Sequence, residues 1–165
     1  MWVHKKIKQA MDSLYKKYPD FYWALDKLEF LKNCDTEYIE KLCTDGTRII
    51  YHDKYLYYIG LKQVEEEILH MMFHKELFHN KRFLMYPEEE LRNAIMDLQV
   101  AWMMNESGML RKEKRECLEY LLITVCNGKC DFSLYHELQE DKERKERFLN
   151  YMSALQWDNH RSWEI

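Results

Sequence analysis

The stretch VEEEILHMMFHKELFH, residues 64–79, is predicted to form the central helix of the fold. At about 100° per residue, one side of this helix carries four polar side chains within a sector of roughly 100°. These are Glu66, Glu67, His70 and His74. The opposite side carries apolar residues that are expected to pack into the core. These are Val64, Ile68, Met71 and Met72.

The histidines of this helix have the spacing of a metal-binding pair. His70 and His74 are four positions apart, an arrangement in which two imidazoles on one helix hold a single zinc ion. Glu66 is also four positions from His70, and Glu67 precedes His70 by three. Two other interpretations stay open. Glu and His at this spacing also pair on helix surfaces without a metal. An E-x-x-H element (Glu67, His70) also occurs in di-iron bundles, which need a second such element on another helix of the bundle.

The segments before the central helix predict three helices and one β-hairpin. Apolar residues at helical spacing predict a helix over residues 3–17, and a second helix is expected over 20–31. A short third helix is expected over 35–42. The β-branched and aromatic residues of RIIY (48–51) and YLYYI (55–59) predict the two strands of a hairpin.

Proline and glycine mark the helices that follow the central one. Pro87 suits the start of a helix that continues to about Asn105 and ends at Gly108. Two more helices are predicted over residues 111–126 and 133–156. The expected fold class is α+β and predominantly α-helical, with one β-hairpin before a central zincin-like helix. The expected organisation is a single domain over 1–165, with a helical part (1–43), a hairpin (47–60) and core helices (61–156).

Composition favours a compact acidic protein with a candidate cation site. The chain has 165 residues, of which 47% are apolar, and its 25 basic and 29 acidic side chains give a net charge of −4. Because there is no basic excess, we expect no binding to nucleic acid. The acidic excess lies in residues 34–106, which hold 14 acidic and 8 basic side chains and four of the seven histidines. Carboxylates and histidines together are what a cation site requires.

The cysteines and the lack of long apolar segments predict a cytoplasmic protein. The five cysteines are an odd number in a chain that begins without a secretion signal, which indicates reduced thiols. No apolar run approaches the roughly 18 residues that span a bilayer, so we expect no membrane association. Cys126 and Cys130, in C-N-G-K-C, have the spacing of neither a CxxC redox pair nor a zinc knuckle. They are expected to be ordinary thiols beside a turn.

Four segments, in this order, resemble motifs of the bacterial family of VWA-like metallopeptidases, in which a zincin-like region precedes a von Willebrand A-like domain. CTDGTRIIYHDKYL (43–56) is similar to a T-D-G-containing stretch, and VEEEILHMMFH (64–74) lies where the family has an H-E-x-x-H helix. LRNAIMDLQVAWMMN (91–105) is similar to a helix with matching Asn and Asp, and WDNHRSWE (157–164) to a D-x-H-x-x-W element. The resemblance covers the zincin-like region alone, and no VWA-like domain is expected in this chain.

The resemblance assigns expected roles to residues of the central helix. Glu67 matches the general-base glutamate and His70 matches the second histidine, whereas Glu66 replaces the first histidine. Asp97 matches the acidic residue of the following helix. The expected metal ligands are therefore Glu66, His70 and Asp97, with His74 or His79 contributing. The expected ion is Zn²⁺, and the added oxygen ligands also suit Mn²⁺ or Fe²⁺.

Two functions follow from the resemblance, and both stay open at this point. The first is a metal-dependent hydrolase of peptidase type that acts on a peptide or protein through Glu67 and water. The second is a catalytically inactive interaction or regulatory module, a pseudoenzyme that works with protein partners such as a MoxR-type AAA+ ATPase. Loss of the first histidine and of the VWA-like half favours the second function. Retention of Glu67, His70 and Asp97 favours the first.

Overall fold

The computed structural model describes residues 4–33, 42–44, 48–77 and 85–155. Two compact units make up this structure: the first contains the described residues up to 77, and the second contains residues 85–155. The described residues are mostly helical, and their strands form one small sheet, which agrees with the predicted α+β, predominantly helical class. The single domain expected over the whole chain stays a prediction.

The first unit begins with helix α1 (Lys5–Lys17), which confirms the helix expected over 3–17. Nδ1 of His4 accepts a hydrogen bond from the backbone N–H of Lys6 at 3.1 Å and so caps the helix start. A 3₁₀ turn (Pro19–Phe21) and a short helix α2 (Tyr22–Asp26) follow.

A three-stranded sheet follows α2. Its strands are β1 (Glu29–Lys32), β2 (Cys43–Thr44) and β3 (Arg48–Tyr51), in the order β1-β3-β2. β1 is parallel to β3, with Glu29 opposite Arg48, and β2 is antiparallel to β3, with Cys43 opposite Ile50. The helix predicted over 20–31 is therefore wrong beyond α2. Residues 29–32 of that segment pair with β3 instead, because ladder hydrogen bonds along the whole of β1 outweigh weak local helix propensity.

The predicted β-hairpin is wrong in its second strand. Residues 48–51 form β3, but helix α3 (Asp53–Tyr58) replaces the strand expected over 55–59. Nδ1 of His52 accepts the backbone N–H of Lys54 at 3.1 Å and caps α3. A strand has two hydrogen-bonding edges, and β1 and β2 already occupy both edges of β3. A further strand after His52 therefore has no free edge of β3 to pair with.

Helix α4 (Leu61–Glu76) confirms the predicted central helix and packs against α1 and α2. Its apolar side is buried as expected, since Val64, Ile68 and Met72 are fully covered. Much of its polar side is buried as well. The buried polar residues of α4 are Glu65, Glu67, His70 and His74.

The second unit consists of four helices. They are α5 (Glu89–Glu106), α6 (Lys112–Thr124), α7 (Ser133–Glu140) and α8 (Lys142–Ala154). α5 packs against α6, α7 and α8, and it ends as predicted near Gly108, whose φ of +71° is the left-handed conformation that glycine adopts readily. The single helix expected over 133–156 is two helices. Asp141 has an extended backbone between them, and its side chain accepts the N–H of Arg144 and caps α8.

Some predicted features lie outside the described residues: the helix over 35–42, the turn at 45–47, His79 and the WDNHRSWE segment. Within the described ranges, none of the helices combines the length and the apolar character that a bilayer-spanning helix needs.

Candidate metal centre

Helix α4 brings two buried imidazoles together. The Nε2 atoms of His70 and His74 are 2.9 Å apart, and the ring centroids are 4.4 Å apart with the planes at 81°. His70 is 2% exposed and His74 is fully buried. Four positions make slightly more than one helical turn, so both rings project from the same side of α4. The spacing predicted from sequence is therefore present as a close contact.

The distance between the two nitrogens is close to that of a metal-bound pair. Two nitrogens on a tetrahedral zinc ion, at Zn–N distances of about 2.0–2.1 Å, are roughly 3.3 Å apart. The observed 2.9 Å is slightly shorter, and small side-chain rotations adjust such a difference. The same distance also suits a hydrogen bond between two neutral imidazoles, in which one Nε2 donates and the other accepts. The pair is thus satisfied without a metal and is geometrically suited to binding one.

A third potential ligand residue is Asp97 of α5, which is 3% exposed. His70 and His74 belong to the first unit and Asp97 belongs to the second, so a role of Asp97 as a ligand beside the two histidines stays a prediction from the sequence. Glu66, a predicted ligand, is partly exposed. Within the first unit, the structure thus brings together two of the predicted ligand residues, His70 and His74.

Glu67, the predicted base, has a buried carboxylate with a specific donor. The side chain is 9% exposed, and the hydroxyl of Tyr55 donates to its Oε1 at 3.0 Å and its Oε2 at 2.9 Å. The side-chain amide of Gln63 donates in turn to the Tyr55 oxygen at 3.1 Å. Sequence reasoning missed Tyr55 because it placed that residue in a strand. It could have noticed Gln63, which is four positions before Glu67 on the same helix.

Glu65 is a further buried carboxylate that sequence reasoning did not single out. It is 5% exposed, and Nζ of Lys17, a half-exposed residue of α1, lies 3.2 and 3.3 Å from its two oxygens. This ion pair joins α1 to α4 and compensates the negative charge of Glu65. A structural role for Glu65 is sufficient to explain it.

Two cysteines of the second unit, Cys126 and Cys130, are ordinary thiols. Cys126 and Cys130 are free thiols, in agreement with the prediction of ordinary cysteines. Burial raises the pKa of Cys126 to about 12, and burial also raises the pKa of Cys130. Thiols with raised pKa values are protonated at neutral pH and are therefore poor nucleophiles.

A scan against protein-family models matches nothing in this chain, and searches of curated proteins and of solved structures find no match either. The resemblance to VWA-like metallopeptidases therefore stays a prediction from sequence motifs. The geometry and chemistry of the buried histidine pair are the basis for assigning a function.

Proposed function

We propose that this protein binds a divalent transition-metal ion through His70 and His74, with Asp97 as the third ligand that the sequence resemblance predicts, and uses it for hydrolysis of a peptide or protein. The observation that carries the proposal is the buried histidine pair, with its Nε2 atoms 2.9 Å apart. Two imidazoles and one carboxylate are a ligand set of catalytic zinc sites, in which a further position is left for water or substrate. Zn²⁺ is the proposed ion. The same ligands also suit Mn²⁺ or Fe²⁺.

Glu67 is the proposed general base of this reaction. Zinc in such a site lowers the pKa of a bound water to about 7, which makes proton removal accessible to a carboxylate. Glu67 precedes His70 by less than one turn of α4, so that its side chain leaves the helix on a neighbouring part of the same side. Its carboxylate accepts the proton of the attacking water and passes it to the leaving amine. As the third ligand that the sequence resemblance predicts, Asp97 would supply negative charge that offsets part of the charge of the cation.

A second candidate function is a non-catalytic module that uses the same ligands to hold a structural metal. In an H-E-x-x-H helix, the glutamate directly follows the first of the two histidines. In this chain Met71 is at that position after His70, so the pair of His70 and His74 lacks this glutamate. His70, His74 and Asp97 are also at most 3% exposed, and structural metal sites are typically closed. Such a module would act through protein partners, for which the sequence resemblance suggests a MoxR-type AAA+ ATPase.

Metal analysis and one variant distinguish these functions. Protein purified without added metal is expected to contain about one transition-metal ion per chain, as measured by inductively coupled plasma mass spectrometry. Glu67→Ala is expected to retain the metal and to lose hydrolysis of fluorescently labelled casein by about 10²-fold or more. Glu119→Ala, which removes an exposed carboxylate from α6, is the matched control and should leave both quantities unchanged.

Each result supports one function. Stoichiometric metal together with loss of hydrolysis in Glu67→Ala supports the hydrolase. Stoichiometric metal without any hydrolysis by the unmodified protein supports the structural module. Absence of a transition metal, together with unchanged turnover by Glu67→Ala, overturns the metal-dependent hydrolase.

A further inference from the structure

We infer that Tyr55 is a positioning residue for Glu67: its hydroxyl orients the carboxylate for proton transfer, and Gln63 fixes the direction of that hydroxyl. This inference rests on the proposed hydrolytic function. It goes beyond that function because it assigns roles to Tyr55 on α3 and Gln63 on α4, neither of which is a proposed metal ligand.

The direction of the hydrogen bonds around Tyr55 is determined by chemistry. An ionised carboxylate can only accept, and a phenol hydroxyl has one proton to donate. The amide nitrogen of Gln63 donates to the Tyr55 oxygen at 3.1 Å, so the phenol proton is left for Glu67. The chain Gln63 → Tyr55 → Glu67 therefore runs in one direction and ends at the proposed base.

The geometry at Glu67 restricts how its carboxylate can rotate. The Tyr55 hydroxyl is nearly equidistant from the two carboxylate oxygens, at 3.0 and 2.9 Å, so it lies between them. Each carboxylate oxygen has further lone pairs that this single donor does not use. One edge of the carboxylate is thus held by Tyr55, which restricts the rotation of the Glu67 side chain.

Burial makes this contact costly to lose. Tyr55 is 6% exposed and Glu67 is 9% exposed, so water replaces a missing donor less easily than it does at the surface. Without the hydroxyl, Glu67 is expected to turn towards another donor. A displacement of about 1 Å in a catalytic group lowers rates by as much as about 10²-fold. Tyr55→Phe should therefore lower turnover even though no atom that contacts a metal or substrate has been changed.

The experiment measures zinc-dependent hydrolysis of p-nitrophenyl acetate by the full chain, taken as the rate of the zinc-loaded protein minus that of the metal-free protein. Tyr55→Phe is expected to lower kcat about tenfold and to leave KM and the zinc Kd within twofold. Gln63→Ala removes only the donor to the hydroxyl, and a smaller loss, about threefold, is expected. Tyr58→Phe removes a hydroxyl from an 85% exposed side chain of the same helix and is the matched control.

A double mutant separates positioning from a general loss of structure. If Tyr55 acts through Glu67, Tyr55→Phe has no further effect on kcat in a Glu67→Gln background. A merely structural defect would lower kcat in both backgrounds by the same factor. If Tyr55→Phe fails to fold, the same comparison is made with Gln63→Ala, whose side chain is exposed and whose replacement leaves the Tyr55–Glu67 contact in place.

The outcomes are distinguishable from failure of the proposed function. Zinc-dependent hydrolysis that falls in Tyr55→Phe but not in the Glu67→Gln background supports the inference. Zinc-dependent hydrolysis that is unchanged in Tyr55→Phe, or lowered equally in both backgrounds, overturns the positioning role and leaves the hydrolase standing. Hydrolysis that does not depend on zinc in the unmodified protein overturns the proposed function, and the positioning role with it.

Discussion

Helix α4 and the C-terminal helices α6–α8 treat ionisable side chains in opposite ways. α4 buries four of them, two glutamates and two histidines, each with a specific polar neighbour. Within residues 112–155, all of which the structure describes, no Asp, Glu, Lys, Arg or His is buried. There the charges meet at or near the surface, as in the pair of Lys129 and Glu137 at 2.8 Å.

The difference shows where a charged side chain carries information about function. Exposed ion pairs contribute about 0–1 kcal/mol and are common on helices, so their presence in α6–α8 indicates little. Burial of an ionisable group costs several kcal/mol unless partners compensate it. Glu65 is compensated by Lys17, and Glu67 by Tyr55. The buried histidines of α4 have each other as polar partners, and they are the proposed ligands of a cation.

The largest expected effect is on zinc binding, and it tests whether a buried histidine contributes more to that binding than an exposed one. His74→Ala removes a fully buried imidazole and is expected to weaken zinc binding by roughly 100-fold or more, because loss of a ligand costs at least as much as loss of its supporting contacts. His136→Ala removes an exposed imidazole from α7 and should leave the zinc Kd unchanged. Competition with a chromophoric zinc chelator measures both Kd values. Equal zinc Kd values for the two variants would show that the buried His74 contributes no more to zinc binding than the exposed His136 does.

Zinc should stabilise the fold through this one site. At a free zinc concentration of 100 times the Kd, binding to the folded state alone adds about 2.7 kcal/mol to the free energy of unfolding. For a chain of this size, that corresponds to a rise in Tm of roughly 5–10 °C. Thermal unfolding followed by circular dichroism, with zinc and with EDTA, measures the shift. A shift of the same size in His74→Ala would show that zinc stabilises the protein elsewhere.

A smaller, pH-dependent effect is expected at the surface of the second unit. The hydroxyl and the backbone N–H of Ser133 donate to the carboxylate of Asp131 and hold its pKa below the ordinary value. A carboxyl with a lowered pKa stabilises the folded state above its ordinary pKa of about 3.9, and the contribution is lost as the pH falls through the lowered value. Asp131→Asn should therefore be less stable than the unmodified protein at pH 7.

Urea unfolding at several pH values measures this effect. The difference in unfolding free energy between the unmodified protein and Asp131→Asn should narrow as the pH falls from about 5 to about 3. Asp20→Asn, at an exposed aspartate of the 3₁₀ turn, is the control. A difference that stays constant over this range would exclude the carboxylate as its source.

The smallest effect is expected for Cys126, a buried and uncharged thiol, on the rate of thiol modification. Burial raises the pKa of Cys126 to about 12, so its thiolate fraction at pH 7 is about 10⁻⁵. Cys126→Ser should leave the fast phase of thiol modification by 5,5′-dithiobis(2-nitrobenzoic acid) unchanged in the folded protein. Stopped-flow absorbance measures that phase. Loss of the fast phase in this variant would show that Cys126 is accessible and reactive.

Local sequence patterns predicted the helices well and the small sheet poorly. α1, α4 and α5 lie where apolar periodicity and helix-end residues place them, because both signals act within a few turns of one segment. YLYYI (55–59) has the composition of a strand, but its first four residues lie in helix α3. Residues 29–32 were expected in a helix and form β1. In both cases the outcome depends on which strand occupies the edges of β3, and that is a non-local property.

The sequence by itself determined the spacing of the histidine pair in this protein. Residues four apart on a helix share one side, so the proximity of His70 and His74 follows from the formation of α4 alone. Only the tertiary structure decided which side chains around that pair are buried and what they contact. The contact between Tyr55 and Glu67 requires that α3 replace a strand and place a hydroxyl beside α4. Such contacts depend on packing between segments, which a spacing along one helix does not specify.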